Sequence, residues 1–289
     1  MSFRLGTFDE TTDFELGPCL ADRILIDQHL KIVRAYTGSI VTYKPDNIDI
    51  GTAIFLRVSS RRFVVTAKHN LESRFEIRDG NLSSKALKSN DIIKVIEHAV
   101  HDLAIIEIDD SLNTTFHDLS QLLLDIPKQL SLDDPEAPPA WLVGYPRDCV
   151  ITTPPAKTFD ELMRSNLKLS KTTLSVVFCN VQNEILSLRY PTQDKVVSVA
   201  PNGAQFSKAM LPESPKGFSG CGVWALCEPK RGQIFNPQHC IKLLGIQYDW
   251  TGCKSRIIHA TSSKVIVRLL VENYPDLQDG IDMLFKTQY

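Results

Sequence analysis

The sequence predicts an all-β protein built from two antiparallel β-units, barrels or sandwiches, with a helix at each end. Three observations carry this expectation. Short runs rich in Val, Ile, Phe and Thr recur from residue 38 to about residue 260. Turn formers rather than helix-period segments separate them, as neighbouring antiparallel strands require. One strong breaker, Asp133-Asp134-Pro135-Glu136-Ala137-Pro138-Pro139, divides the runs into two groups.

The elements follow in chain order. Between Cys19 and Tyr36, residues Leu20, Ile24, Leu25, Leu30, Ile32 and Val33 fall at helical spacing and predict an amphipathic helix that packs on the main body. The first strand group is Ser39 to Tyr43, Gly51 to Val58, Arg62 to Thr66, Ile92 to Ile96 and Leu103 to Ile108. Its turns are Lys44-Pro45-Asp46-Asn47, Ser59-Ser60 and Arg78-Asp79-Gly80. The second group is Trp141 to Val143, Thr173 to Val181, Ile185 to Tyr190, Val196 to Val199, Gly222 to Leu226 and Ile241 to Tyr248. Apolar Val265, Ile266, Leu269 and Leu270 within Ser262 to Tyr274, ended by Pro275, predict a C-terminal helix. The expected divisions are a helical extension 1–37, a first β-unit 38–132, a linker 133–140, a second β-unit 141–261, and a helix with tail 262–289.

Composition excludes some partners. The 289 residues are 43% hydrophobic, enough for a sizeable core, and 34 acidic against 32 basic residues leave a net charge of −2. Such a balance provides no field to hold nucleic acid or an anionic membrane. Lys31, Arg34 and Lys44, or Arg61 and Arg62, are too sparse to form a basic stripe. No run reaches the roughly 18 apolar residues of a membrane span, and charges interrupt the first residues, so neither export nor insertion is expected. Seven cysteines in an odd, scattered set without a CxxC pair fit reduced thiols and a cytoplasmic location.

The segment Pro215-Lys216-Gly217-Phe218-Ser219-Gly220-Cys221-Gly222 carries candidate chemistry. Nucleophilic serine catalysis needs a hydroxyl, an imidazole to take its proton, a carboxylate to fix the imidazole tautomer, and backbone N–H groups aimed at the developing oxyanion. Glycines at −2 and +1 of Ser219 permit the tight turn this demands. A plain β-turn has the same composition, so two further segments decide. Phe63-Val64-Val65-Thr66-Ala67-Lys68-His69 is a strand ending in Thr-Ala-x-His, and His101-Asp102-Leu103-Ala104 is an Asp-x-Ala that opens another strand.

These three segments, in the order His, Asp, Ser, resemble the trypsin/chymotrypsin-like serine peptidase superfamily, especially its compact bacterial intracellular or HtrA-like branch. The resemblance spans about Gly38 to Val271. It implies two antiparallel β-barrels side by side, with Ser219 as nucleophile, His69 as general base, Asp102 as its buried orienter, and the N–H groups of Gly217 and Ser219 as oxyanion hole. It also implies that Leu142-Val143-Gly144-Tyr145-Pro146 begins the second barrel and that substrate pairs along Leu244-Gly245-Ile246. The specificity pocket would be lined by Glu213, Ser214, Gln247, Tyr248 and His259, a polar set that fits a polar or charged side chain before the cut. The substrate would be a protein or peptide, and neither cofactor nor metal is required.

Two departures from the family pattern stand out. Phe218 occupies the position where animal digestive members carry an aspartate that pairs with a new N-terminus, so activation by that route is not expected. The interval between Asp102 and Ser219 is long, and the surplus is placed in residues 151–203, including a helix over Thr158 to Leu169. Cys221 has serine rather than glycine at −2, which fits a small buried hydrophobe better than a nucleophile. His98 and His101 are read as a solvated loop, because residues three apart share no face of a strand. A cytoplasmic peptidase without a propeptide endangers its host, so restraint by a regulatory partner, location or narrow specificity is expected.

Overall fold

The computed structural model describes residues 20–44, 47–78, 86–87, 91–109, 117–118, 140–147, 150–153, 166–169, 171–190, 215–226 and 241–286. Helix α1 (Leu20–Ala35) leads into β1 (Thr37–Lys44), β2 (Asn47–Val58) and β3 (Arg61–Thr66). Then come β4 (Arg74–Arg78), β5 (Ala86–Leu87), β6 (Ile92–Glu97) and β7 (Ala104–Ile108). They form a curled antiparallel sheet in the order β5-β4-β1-β2-β3-β7-β6, with β8 (His117–Asp118) lying parallel to β2. The second group closes into a barrel, β12-β13-β16-β15-β14-β9. Its strands are β9 (Ala140–Gly144), β12 (Thr172–Gln182), β13 (Ile185–Arg189), β14 (Gly222–Leu226), β15 (Ile241–Trp250) and β16 (Ile257–Ser262). Strands β10 (Val150–Thr153) and β11 (Asn166–Leu169) pair separately.

The central strands are buried on both faces, which is why they read as continuous apolar runs rather than as alternating ones. In β2, Ala53 and Phe55 enter the interior of the first unit with Ile40, Val64 and Ile106. Ile54 and Leu56, on the opposite face, join a core shared with the second unit through Val143, Trp224, Leu243 and Ile246. The same division by parity holds in β14, where Val223 and Ala225 face the second interior and Trp224 the shared core. The site lies where these two units meet.

Helices at both ends cross to the other unit. Lys171, just before β12, donates its Nζ to the carbonyls of Arg34 and Thr37 and so caps the C-terminus of α1. Tyr36 packs near Trp224 with ring centroids 6.2 Å apart. After the short helix α2 (Gly252–Ser255) and β16, Ser262 caps α3 (Ser263–Asn273) by accepting the N–H of Lys264. Val265, Ile266, Leu269 and Leu270 of α3 join the shared core. Tyr274 then reaches back to the first unit, donating its hydroxyl to buried Glu107 at 2.9 Å. A final helix, α4 (Gln278–Lys286), occupies residues expected to be tail.

The structure corrects part of the insertion. Residues Asn166–Leu169, expected at the end of a helix, are strand β11, paired to β10 from Val150↔Leu169 to Thr153↔Asn166. The ladder with β10 overrides local helix propensity, which is weak in any short segment. Strand β4 adds a strand not anticipated: Arg74, Glu76 and Arg78 alternate with Phe75 and Ile77, and five residues are too few to show their period. The linker residues 133–139 and the expected strand Val196 to Val199 lie outside the described residues.

Candidate active site

Strand β3 ends at Thr66 and gives way to buried Ala67 and a single 3-10 turn, Lys68–Leu71, which carries His69. Asp102 lies just before β7, and Leu103 beside it is fully buried. Its carboxylate engages His69 twice. Oδ1 accepts the backbone N–H of His69 at 3.0 Å, and Oδ2 lies 2.5 Å from Nδ1 of the ring. An ionised carboxylate only accepts, so Nδ1 carries the proton and Nε2 is left as the basic nitrogen.

The two groups adjust each other's titration. The hydrogen bond to Asp102 is the largest influence on His69 and lifts its pKa above the ordinary histidine value, against the opposing effect of burial. For Asp102, burial alone would raise the carboxyl. The His69 ring and the N–H groups of His69 and Lys68 outweigh it and hold the carboxyl below its usual range. Asp102 was expected to be buried, yet its side chain is 29% exposed. It follows directly on a surface turn, in which Nδ1 of His98 accepts the N–H groups of Val100 and His101 and Val100 is exposed.

The Gly217–Cys221 turn is held by its carbonyls. Lys216 O accepts from Arg147 N at 2.9 Å, Gly217 O from the Thr52 hydroxyl at 2.8 Å, and Phe218 O from Cys221 N at 2.7 Å. Ser219 O accepts twice, from Thr52 N at 2.7 Å and from Asn70 Nδ2 at 2.9 Å. On the donor side, Phe218 N–H bonds to Pro215 O, Gly220 N–H to Gln247 O and Cys221 N–H to Phe218 O. Among the described residues, the N–H groups of Gly217 and Ser219 have no partner. Two N–H groups on a turn whose carbonyls are held are thus left able to donate to a bound acceptor.

Glycine is required twice in this turn. Gly217 sits at φ 91° with the site of a Cβ only 2.2 Å from Tyr145 O, and Gly220 at φ 90° with that site 2.0 Å from Thr52 O. Phe218, between them, is fully buried in the core of the second barrel and anchors the turn by packing. Cys221 is fully buried as well, and burial pushes its thiol well above its ordinary pKa, which suppresses the thiolate.

Of the expected pocket residues, Glu213 and Ser214 lie outside the described residues. Gln247 is buried, with its backbone bonded to Gly220 and Cys221 and its side-chain amide to Asp249 O at 3.2 Å. It supports the turn from behind. The rings of Tyr248 and His259 stack at 6.4 Å, and His259 Nδ1 lies 3.5 Å from the Ser187 hydroxyl. Burial, then the charges of Asp249 and Asp102, raise the Tyr248 phenol, so Tyr248 is within electrostatic reach of the His69–Asp102 pair.

Leu244-Gly245-Ile246 does not offer the expected edge for substrate. Gly245 and Ile246 are paired to β14 on one side and to β16 on the other. The β14 ladder ends at Ile246, so among the described residues the open edge of β15 is Tyr248 to Trp250, just past a register shift between Gln247 and Asp249. A bulge of this kind re-aims a strand, and the pairing with β16 resumes beyond it at Asp249↔His259 and Trp250↔Ile258. Thr52 and Asn70 were not anticipated either. The signal for Thr52 is a polar residue inside the apolar run from Gly51 to Leu56, since a buried hydroxyl must find partners.

Solved structures of known proteins are similar to this one. The structure resembles a serine endoprotease from Yersinia pestis with a TM-score of 0.52 and 11% identity, over 92% of this chain and 69% of that one. It is also similar to the active form of a protease from M. tuberculosis, at a TM-score of 0.49 and 12% identity over 92% of each chain. A scabies mite inactivated protease paralogue is similar at a TM-score of 0.46 and 14% identity, over 84% of this chain and 95% of that one. No family model and no curated protein sequence matches the chain. The chain has the double-barrel fold of the trypsin-like serine proteases. No described helix is long and apolar enough to cross a membrane.

Proposed function

We propose that the chain is a serine endopeptidase that cleaves protein substrates through an acyl-enzyme. Ser219 Oγ attacks the scissile carbonyl carbon while His69 Nε2 takes its proton, with Asp102 holding the imidazole in the required tautomer. The carbonyl oxygen becomes an oxyanion received by the N–H groups of Gly217 and Ser219. His69 then gives the proton to the leaving amine as the C–N bond breaks. Water, deprotonated by His69, attacks the ester and releases Ser219 with its proton restored. The observation that supports this best is the pair of open N–H groups on a turn bonded, at Ser219 O, to Asn70, the residue next to the doubly held His69. Treatment of the purified protein with a fluorophosphonate probe tests it: covalent labelling at Ser219, lost in Ser219→Ala, is expected, and an unlabelled wild type would refute it.

One observation favours a second reading, a protease-derived binding module or regulated effector held inactive until a partner or ligand remodels the site. Among the described residues the Ser219 hydroxyl has no hydrogen-bond partner, His69 included. Under this reading labelling appears only after the partner is added, and the change falls on the Ser219 side chain, since the turn carbonyls are already held.

A further inference from the structure

Thr52 directs its N–H and its hydroxyl across the seam between the two barrels, while its carbonyl bonds within the first. It is fully buried in β2, a strand of the first unit. Its N–H donates to Ser219 O at 2.7 Å, and its O accepts the Thr66 hydroxyl at 2.8 Å. Its own Oγ1 lies 3.1 Å from Tyr145 N and 2.8 Å from Gly217 O. The direction of these bonds is forced. The N–H of Tyr145 only donates, so Oγ1 accepts there and its single proton goes to Gly217 O.

Asn70, the residue after His69, closes the network. The Thr66 hydroxyl proton is committed to Thr52 O, so Thr66 Oγ1 can only accept from Asn70, at 3.0 Å. The Ser219 carbonyl also only accepts, at 2.9 Å. Both facts place the NH2 group of Asn70 on this side, and each of its protons has one acceptor. Two glycines make the room. A Cβ on Gly51 would lie 2.5 Å from the Asn70 amide, and one on Gly220 would lie 2.3 Å from Thr66 Oγ1.

Resting on the reading of Ser219 as nucleophile, we propose that the Thr52 hydroxyl and the Asn70 amide are positioning groups that hold the nucleophile turn in its oxyanion-receiving form. The carbonyl of Gly217 belongs to the peptide unit between the two open N–H groups, so fixing it fixes the angle between those donors. The bond from Asn70 to Ser219 O ties the nucleophile's own residue to the turn that carries the base. The oxyanion receptor of the second barrel is therefore held from the first barrel as well as from its own, through packing and hydrogen bonds that exist once the chain is folded.

The test uses Thr52→Val, which keeps the shape and removes the hydroxyl, and Thr52→Ser, which restores it. Two readouts are taken on folded protein: the rate of fluorophosphonate labelling against probe concentration, and amide hydrogen exchange over residues 215–226. Thr52→Val is expected to lower the saturating labelling rate roughly 10- to 100-fold, the scale of an ångström-level misplacement, while half-saturation changes little. Gly220 and Cys221 amides should exchange faster, and Thr52→Ser should recover most of both losses. A folded Thr52→Val that labels at the wild-type rate with unchanged protection overturns the proposal. If wild type does not label, the peptidase reading fails instead, and exchange still decides: lost protection supports the clamp and unchanged protection overturns it. Should Thr52→Val not fold, Asn70→Ala carries the test. It is expected to show a smaller loss in the same direction, and unchanged labelling and protection would overturn the proposal.

Discussion

Asp102 holds both the backbone N–H and the ring of His69, so the imidazole has neither rotational nor tautomeric freedom while the carboxylate is ionised. Replacing one carboxylate oxygen by an NH2 group removes the acceptor that keeps the proton on Nδ1. Asp102→Asn is expected to fold normally and to lower turnover on the order of 10⁴-fold. Steady-state cleavage of a peptide found in a library digest measures the loss, and a change of less than tenfold would contradict the assignment.

The same contact sets the pH dependence. His69 must be neutral to act as base, and Asp102 raises its pKa, so labelling of Ser219 should rise with pH along a limb centred above the ordinary histidine value. Asp102→Asn should move that centre downward. Stability follows with opposite signs for the two partners. The contribution of Asp102, whose pKa is depressed, is present above the unfolded carboxylate value and is lost as pH falls through its lowered folded value. That of His69 is complete below the unfolded histidine value and is lost as pH rises through its raised one.

Ser219→Ala and His69→Ala should each abolish turnover to a similar extent, because such groups act as a unit and their losses do not add. Ser219→Ala should leave the unfolding midpoint nearly unchanged, since only a partly exposed hydroxyl is lost. Cys221→Ala should keep turnover within a few-fold of wild type, given a buried and protonated thiol. A dead Cys221→Ala beside an active Ser219→Ala would reverse the choice of nucleophile.

Tyr274→Phe removes one partner of a carboxylate that is 8% exposed and leaves it with Arg61 alone. A loss of about 1–3 kcal/mol in urea unfolding is expected. The effect should fall on stability, with the rate of probe labelling unchanged at temperatures where the protein stays folded.

Local signals account for what the sequence makes legible. The strands of the two units are readable because β-branched runs and turn formers are properties of neighbouring residues, and the segments of His69, Asp102 and Ser219 each carry their own short pattern. Strand β11 is not readable as a strand, because pairing with β10 makes it one. Nor is the open edge of β15 at Tyr248 to Trp250, which depends on where the β14 ladder ends. The bond from Thr52 to Gly217 joins residues 165 positions apart. Such a contact is a property of the assembled seam, and at most a polar residue in an apolar run hints at it.

The crossing of the chain ends gives the molecule a topology close to a clasp. The N-terminal helix is capped by Lys171 of the second barrel, while Tyr274 and Asp276, beyond that barrel, bind Glu107 and Arg61 of the first. Each half thus wears the other's end. A single peptide cut between the halves would leave them associated through both crossings and the shared core, so a nicked molecule should migrate as one particle in native sizing and as two fragments only after denaturation. Mechanical independence of the two barrels is therefore not available to this chain, and a partner that prises them apart must displace two terminal segments at once.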